Sequence, residues 1–211
     1  MNKKFKNPYS KNGKTILFTT QDKKSWQILN ETGRFFNKKQ YIRSHFEDIS
    51  EHFIKSYDWF VVEASKRIQK PSDVKYQIWC SVSARNCMRP SEDEVSYIIE
   101  VPDDEIMYFS GMKWDYVLNL HYVPINNEDL VSYQKNIKEK GFNNSYEFIE
   151  GRYSRMFPKE VEKIKASWPR IFEIDEWNIF DVQANIWEIK KEWVKYVVNV
   201  GERIPDEYIM D

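Results

Sequence analysis

The chain has 211 residues, enough to bury one substantial hydrophobic core without requiring a second. Its 32 Lys and Arg against 33 Asp and Glu leave a formal charge of -1, which excludes a whole-molecule field strong enough to drive binding to nucleic acid or anionic lipid. No apolar run approaches the roughly 20 residues that cross a bilayer, the lysine-rich start lacks the apolar segment of a signal peptide, and Cys80 and Cys87 alone build neither a disulfide framework nor a four-ligand zinc site. The expectation is a cytoplasmic protein with reduced thiols and no membrane partner.

Residues 1–15 hold Lys3, Lys4, Lys6, Lys11 and Lys14, with no acidic residue before Asp22. They read as a flexible basic N-terminal tail ahead of a single α+β domain over 16–211. A β-branched and apolar run predicts a strand over 16–21, followed by a short helix with Asp22 as its cap and Gly33 as its stop. Thr19, Thr20 and Gln21 are then presented where strand feeds helix. Ser44 and Glu47 have capping-box spacing, and Phe46, Ile49, Phe53, Tyr57, Phe60, Ala64 and Ile68 recur at steps of three and four, which predicts an amphipathic helix over 44–68.

Residues 74–82 alternate as a strand, with Tyr76, Ile78, Cys80 and Val82 on one face and Gln77, Trp79 and Ser81 on the other. A polar loop with Arg85 and Arg89 leads to a third strand over 95–101, closed by the turn residues Pro102, Asp103 and Asp104. Residues 114–122 fit either a short helix or an aromatic loop. Helices are expected over 129–140 and 144–157, and a further one begins at Pro158. Alternation returns over 180–189, with Gln183, Asn185 and Trp187 on the polar face, and 193–200 reads as a final strand. The fold class is α+β, with small mixed or antiparallel sheets and packed helices.

Several chemistries lack their residues. His45 and His52 stand seven apart on the same predicted helix, about 10 Å along its axis, so one ion cannot take both. His121 is isolated. No metal site is expected, and the six glycines form no phosphate-cradling or nucleophile-elbow motif. The amides of Gln183 and Asn185 beside Trp187, and of Gln77 beside Trp79, suit a nucleotide or an amide-bearing ring. If both strands turn these faces to one cleft, that cleft holds two tryptophans.

Short strings along the chain resemble an uncharacterised bacterial domain-of-unknown-function family, numbered thirty-eight forty-one. They are Thr20 and Gln21 with Trp26, Leu29 and Gly33; Tyr57, Asp58 and Trp59; Ile78 and Trp79; Arg89 and Pro90; Glu100, Val101 and Pro102; Trp114 with Val117, Leu118 and Asn119; Trp168 with Arg170, Ile171 and Phe172; and Gln183 and Ala184 with Trp187 and Glu188. The order of elements is also distantly similar to the ADP-ribosyltransferase superfamily, which binds NAD between small sheets.

That second resemblance implies an NAD-using enzyme modifying a macromolecular acceptor, protein or nucleic acid. It assigns cofactor binding to Thr20 or Gln21, ring stacking to Tyr57 or Trp79, and the late-strand catalytic place to Gln183. The usual residue at that place is a glutamate, and a neutral amide cannot offset oxocarbenium-like charge as a carboxylate does. Glu188 is the neighbouring carboxylate, on the opposite strand face unless a bulge intervenes. Arg89 would clamp phosphate, and Trp187 would complete the ring surface. The competing expectation is a non-catalytic module that stacks Trp and Tyr on single-stranded bases or a protein partner, helped by the basic tail.

Overall fold

The computed structural model describes residues 7–37, 50–149 and 152–209, with the backbone alone at 50–52. Two compact units divide the chain, Met1–Tyr108 with Ile174–Asp211, and Phe109–Glu173. The predicted capping box at Ser44 and Glu47, the first residues of the apolar stripe and His45 lie outside the described residues.

The larger unit is built on a six-stranded sheet. Its strands are β1 (Lys14–Asp22), β3 (Ile78–Ser81), β4 (Glu94–Pro102), β5 (Met107–Ser110), β6 (Val182–Ile186) and β8 (Val194–Val198), in the order β5-β6-β3-β1-β4-β8. A two-stranded ribbon pairs β2 (Arg34–Phe35) with β7 (Ile189–Lys190). The α+β expectation is met.

Pairing fixes the faces. Leu17 stands opposite Ile99 and Thr19 opposite Tyr97, while Cys80 stands opposite Ala184 and Ile78 opposite Ile186. Apart from the buried but polar Thr19, these residues fill one core with Leu29, Val95, Val101 and Trp193. Because side chains alternate along a strand, the other face carries Phe18, Ile98 and Val198, covered by Ala84, Cys87, Ile204 and Tyr208. The same face carries Ser81, opposite Phe18 and Gln183, and Trp79, opposite Asn185.

Local chemistry explains the first helix, α1 (Lys24–Thr32). Asp22 accepts the Lys24 amide at 2.7 Å, and Gly33 takes the left-handed φ of 79° that lets its N–H reach Leu29. The next helix, α2 (Ser50–Ser65), lays Tyr57 and Phe60 against Trp79. The strand expected over 74–82 is regular only at β3. Tyr76 instead forms an isolated bridge with Asn37 and packs with Ile54 and Tyr57. Its hydroxyl donates to Asp58 at 2.7 Å. The side-chain hydrogen bond to α2 and a pairing partner outside the main sheet interrupt the alternation there.

Residues 7–15, expected within a free tail, are tied from Asn7 onward. Its amide donates to the Thr15 and Tyr108 hydroxyls, each at 2.8 Å, and Thr15 donates to Asp103 at 2.7 Å. Tyr9 meets the edge of Trp177 at 5.7 Å.

The smaller unit is helical. The ambiguous 114–122 segment opens as a helix, α3 (Gly111–Leu118), capped by the Ser110 hydroxyl, and it stops where Leu120 adopts a φ of 55°. Next, α4 (Asn127–Glu139) is capped by the Asn126 side chain. The helix expected over 144–157 is described as one short turn, α5 (Tyr146–Ile149), and a 3-10 turn over Arg152–Arg155. Phe142, Phe148, Tyr153 and Phe157 form the aromatic cluster there. Finally α6 (Pro158–Ser167) starts on its proline, as expected.

Candidate functional site

The face of β3 and β6 that lies against α2 is the candidate site. Trp79 is half-buried there, with the Tyr57 ring at 5.5 Å edge-on and the Phe60 ring at 5.3 Å. Burial pushes the Tyr57 hydroxyl pKa up to about 12, so it stays neutral and able to donate a hydrogen bond. Directly across the ladder from Trp79 is Asn185, only 1% exposed. Its Nδ2 donates to the Ile78 carbonyl at 3.4 Å, which leaves Oδ1 as a buried acceptor with no partner among the described residues.

Two residues before Trp79 is Gln77, also 1% exposed. Its backbone carbonyl accepts from Asn37 at 3.0 Å, yet its side-chain Oε1 and Nε2 have no partner among the described residues. Asn185 Oδ1, across the ladder from Trp79, is thus a buried acceptor without a partner among the described residues, and Gln77 adds two more such atoms just ahead of β3. Leaving such an atom unpaired costs about 1–3 kcal/mol, and natural cores keep few of them. On β6 the face then opens, because Gln183, two residues from Asn185 and opposite Ser81, is exposed. Two strand residues span about 7 Å, so the buried Asn185 amide is one side chain from solvent.

Not all the expected site residues gather here. Thr20 shares this sheet face, and its hydroxyl is occupied: it lies 2.6 Å from the Ser96 hydroxyl and donates to the Met88 carbonyl at 2.6 Å. It anchors the loop after β3. Gln21 falls on the opposite face by alternation and donates to the Thr19 hydroxyl at 2.8 Å. Arg89 is exposed on the loop after β3.

Trp187 is corrected from a binding surface to a packed residue. The strand ends at Ile186, and the indole is 3% exposed with its N–H donating to the Ile68 carbonyl at 3.2 Å. Trp79 is therefore the tryptophan of this site that keeps partial exposure.

Glu188 is also placed away from Gln183. It is 8% exposed and accepts from Arg34 Nε at 2.6 Å. Arg34 also bonds Asp73 at 2.9 Å, and Lys190 lies 3.9 Å from Glu188 and 3.1 Å from Glu105. The pairing carboxylates outweigh desolvation and raise the pKa of Arg34, so the guanidinium is a permanent counter-ion. Sequence reasoning did not find Arg34. It is 154 positions from Glu188, and nothing in either neighbourhood marks the pair.

The architecture is that of an α+β protein with an aromatic and amide-bearing sheet face. The family profile described as Domain of unknown function (DUF3841) matches residues 16–195, and the chain belongs to that family. No curated protein and no solved structure matches it. Among the described residues no helix is long and apolar enough to cross a membrane, and no group of three or more His, Cys, Asp or Glu is placed to hold a metal ion.

Proposed function

We propose that this chain binds a nucleotide, NAD first among the candidates, with a planar ring placed beside Trp79 and its polar edge read by Asn185 and Gln77. One observation carries the reading: Asn185 Oδ1, a buried acceptor without a partner among the described residues, stands across the ladder from Trp79, a tryptophan that keeps partial exposure. An aromatic wall with a few convergent polar groups is the usual make-up of a small-molecule site. Gln183 at the open end offers an amide to a ribose hydroxyl, and Arg89 offers a guanidinium to phosphate.

Transfer of ADP-ribose to a macromolecule is the finer proposal, drawn from the resemblance to ADP-ribosyltransferases. It needs a carboxylate beside the anomeric carbon. Gln183 is neutral, and the Glu188 carboxylate is paired with Arg34. We therefore favour recognition over catalysis. Incubation of the purified chain with NAD tests both: a rise in Tm with no nicotinamide release is expected. The absence of a Tm shift with NAD overturns the binding reading, and nicotinamide release overturns the non-catalytic one.

A further inference from the structure

Resting on the nucleotide reading, we infer that the hydroxyls of Thr20 and Ser96 are positioning groups for phosphate: they lock the loop after β3 so that Arg89 is presented to the diphosphate of a nucleotide whose ring lies beside Trp79. The strand registers bring these residues together. Phe18 pairs with Ser81 in antiparallel strands, so two residues further on Thr20 falls beside Trp79, and the adjacent Thr19 hydroxyl donates to the Trp79 carbonyl at 2.8 Å. On its other side Thr20 pairs with Ser96. Trp79, Thr20 and Ser96 therefore stand in a row across β3, β1 and β4 on one sheet face, each about 4.8 Å from the next.

Met88 is held over this row by its carbonyl. Thr20 donates to that oxygen at 2.6 Å, the Ser96 hydroxyl lies 3.1 Å from it and 2.6 Å from the Thr20 hydroxyl, and the Cys87 thiol is 3.4 Å away. Each hydroxyl has one hydrogen to give, so a relay from Ser96 to Thr20 to the carbonyl uses both and strengthens the last bond. The Met88 side chain takes no part in the anchor, being 71% exposed. The anchored carbonyl belongs to the residue immediately before Arg89.

The neighbouring sequence removes more of the freedom of Arg89. Pro90 disfavours helical torsions at Arg89 and holds its backbone extended. Ser91 then donates its N–H and its hydroxyl to Glu94 at 3.0 and 2.7 Å, and the Lys23 N–H holds the Asp93 carbonyl at 2.9 Å. Upstream, Asn86 Nδ2 donates to the Ile179 carbonyl. Arg89 itself is exposed and has no ion-pair partner among the described residues, so its guanidinium is open to two phosphate oxygens. A guanidinium carried on a mobile loop must order that loop on binding, and one carried on a fixed loop need not. Thr20 thus acts through Arg89 and does not itself touch the ligand.

A double-mutant cycle read by isothermal titration calorimetry with NAD tests this. Thr20→Val removes the hydroxyl at nearly constant volume, and Thr20→Ser keeps it. Thr20→Val is expected to weaken NAD binding by about three- to tenfold, and Thr20→Ser to bind like the wild type. Arg89→Ala weakens binding at least as much as Thr20→Val, and adding Thr20→Val to Arg89→Ala gives no further loss. The salt dependence of NAD affinity flattens in Thr20→Val as it does in Arg89→Ala, a change that a purely structural hydroxyl does not produce. Should Thr20→Val fail to fold, Ser96→Ala removes the other hydroxyl and is read in the same cycle. Unchanged affinity in Thr20→Val or in Arg89→Ala, or losses that add in the double variant, overturns the inference and leaves the nucleotide reading standing. Failure of NAD to bind the wild-type chain overturns both.

Discussion

Gln77 brings two polar atoms into a position 1% exposed without pairing either among the described residues. Methionine has nearly the same volume and no hydrogen-bonding demand, so Gln77→Met is expected to raise the unfolding free energy by about 1–2 kcal/mol. Urea titration reads this directly. The same variant is expected to lose much of the NAD-dependent Tm rise, so one substitution separates stability from binding. A fall in stability would mean that the Gln77 amide is already satisfied within the fold.

His121 supplies the pH dependence at this scale. Its Nδ1 is 3.1 Å from the Ser145 hydroxyl, and burial lowers its pKa below the ordinary 6.5. A histidine held neutral in the folded state contributes stability above its unfolded pKa, and this is lost as pH falls through the lower folded value. The Tm is therefore expected to drop between pH 7 and pH 5, and to drop less in His121→Asn. Thermal melts across that range check it, and equal slopes for the two proteins would remove His121 as a cause.

The elements show which parts were legible beforehand. Strands β1 and β4 were legible as β-branched and apolar runs over 16–21 and 95–101, inside the nine residues each spans, whereas the separation of Thr20 and Gln21 onto opposite faces follows only from the pairing register. Alternation misled at Trp187, because the strand ends one residue earlier and the chain bends. Ribbons as short as β2 and β7, two residues each, carry no period to detect. The partner of Glu188 depends on that ribbon, which is why Arg34 was invisible and Gln183 was not.

Helix α2 is where reading and packing agree best. Phe60 is 0% exposed and touches Trp79, whereas Val62, two positions on, is 56% exposed. Phe60→Ala is expected to cost about 3–5 kcal/mol, since it leaves a cavity against the sheet. Val62→Ala is expected to stay within about 0.5 kcal/mol. Denaturant midpoints with matched slopes would verify the contrast.

At the scale of the whole molecule, charge is nearly balanced, with a formal net charge of -1, so association gains little from the overall field. The groups proposed to read a ring, Asn185 and Gln77, are neutral amides. Hydrogen bonds between neutral partners do not release counter-ions, whereas a protein that neutralises several phosphates loses about three to five orders of magnitude in affinity over a modest rise in salt. The proposed NAD complex is therefore expected to weaken by less than about tenfold between 50 and 500 mM salt, with the exposed Arg89 contributing what dependence there is. Titrations at the two salt concentrations, repeated with Arg89→Ala, measure this. A steep dependence that survives Arg89→Ala would move recognition from the amide edge to phosphate contacts elsewhere on the surface. A flat profile together with loss of affinity in Asn185→Leu would place it at the β3 and β6 face, where Trp79 and Asn185 stand opposite each other.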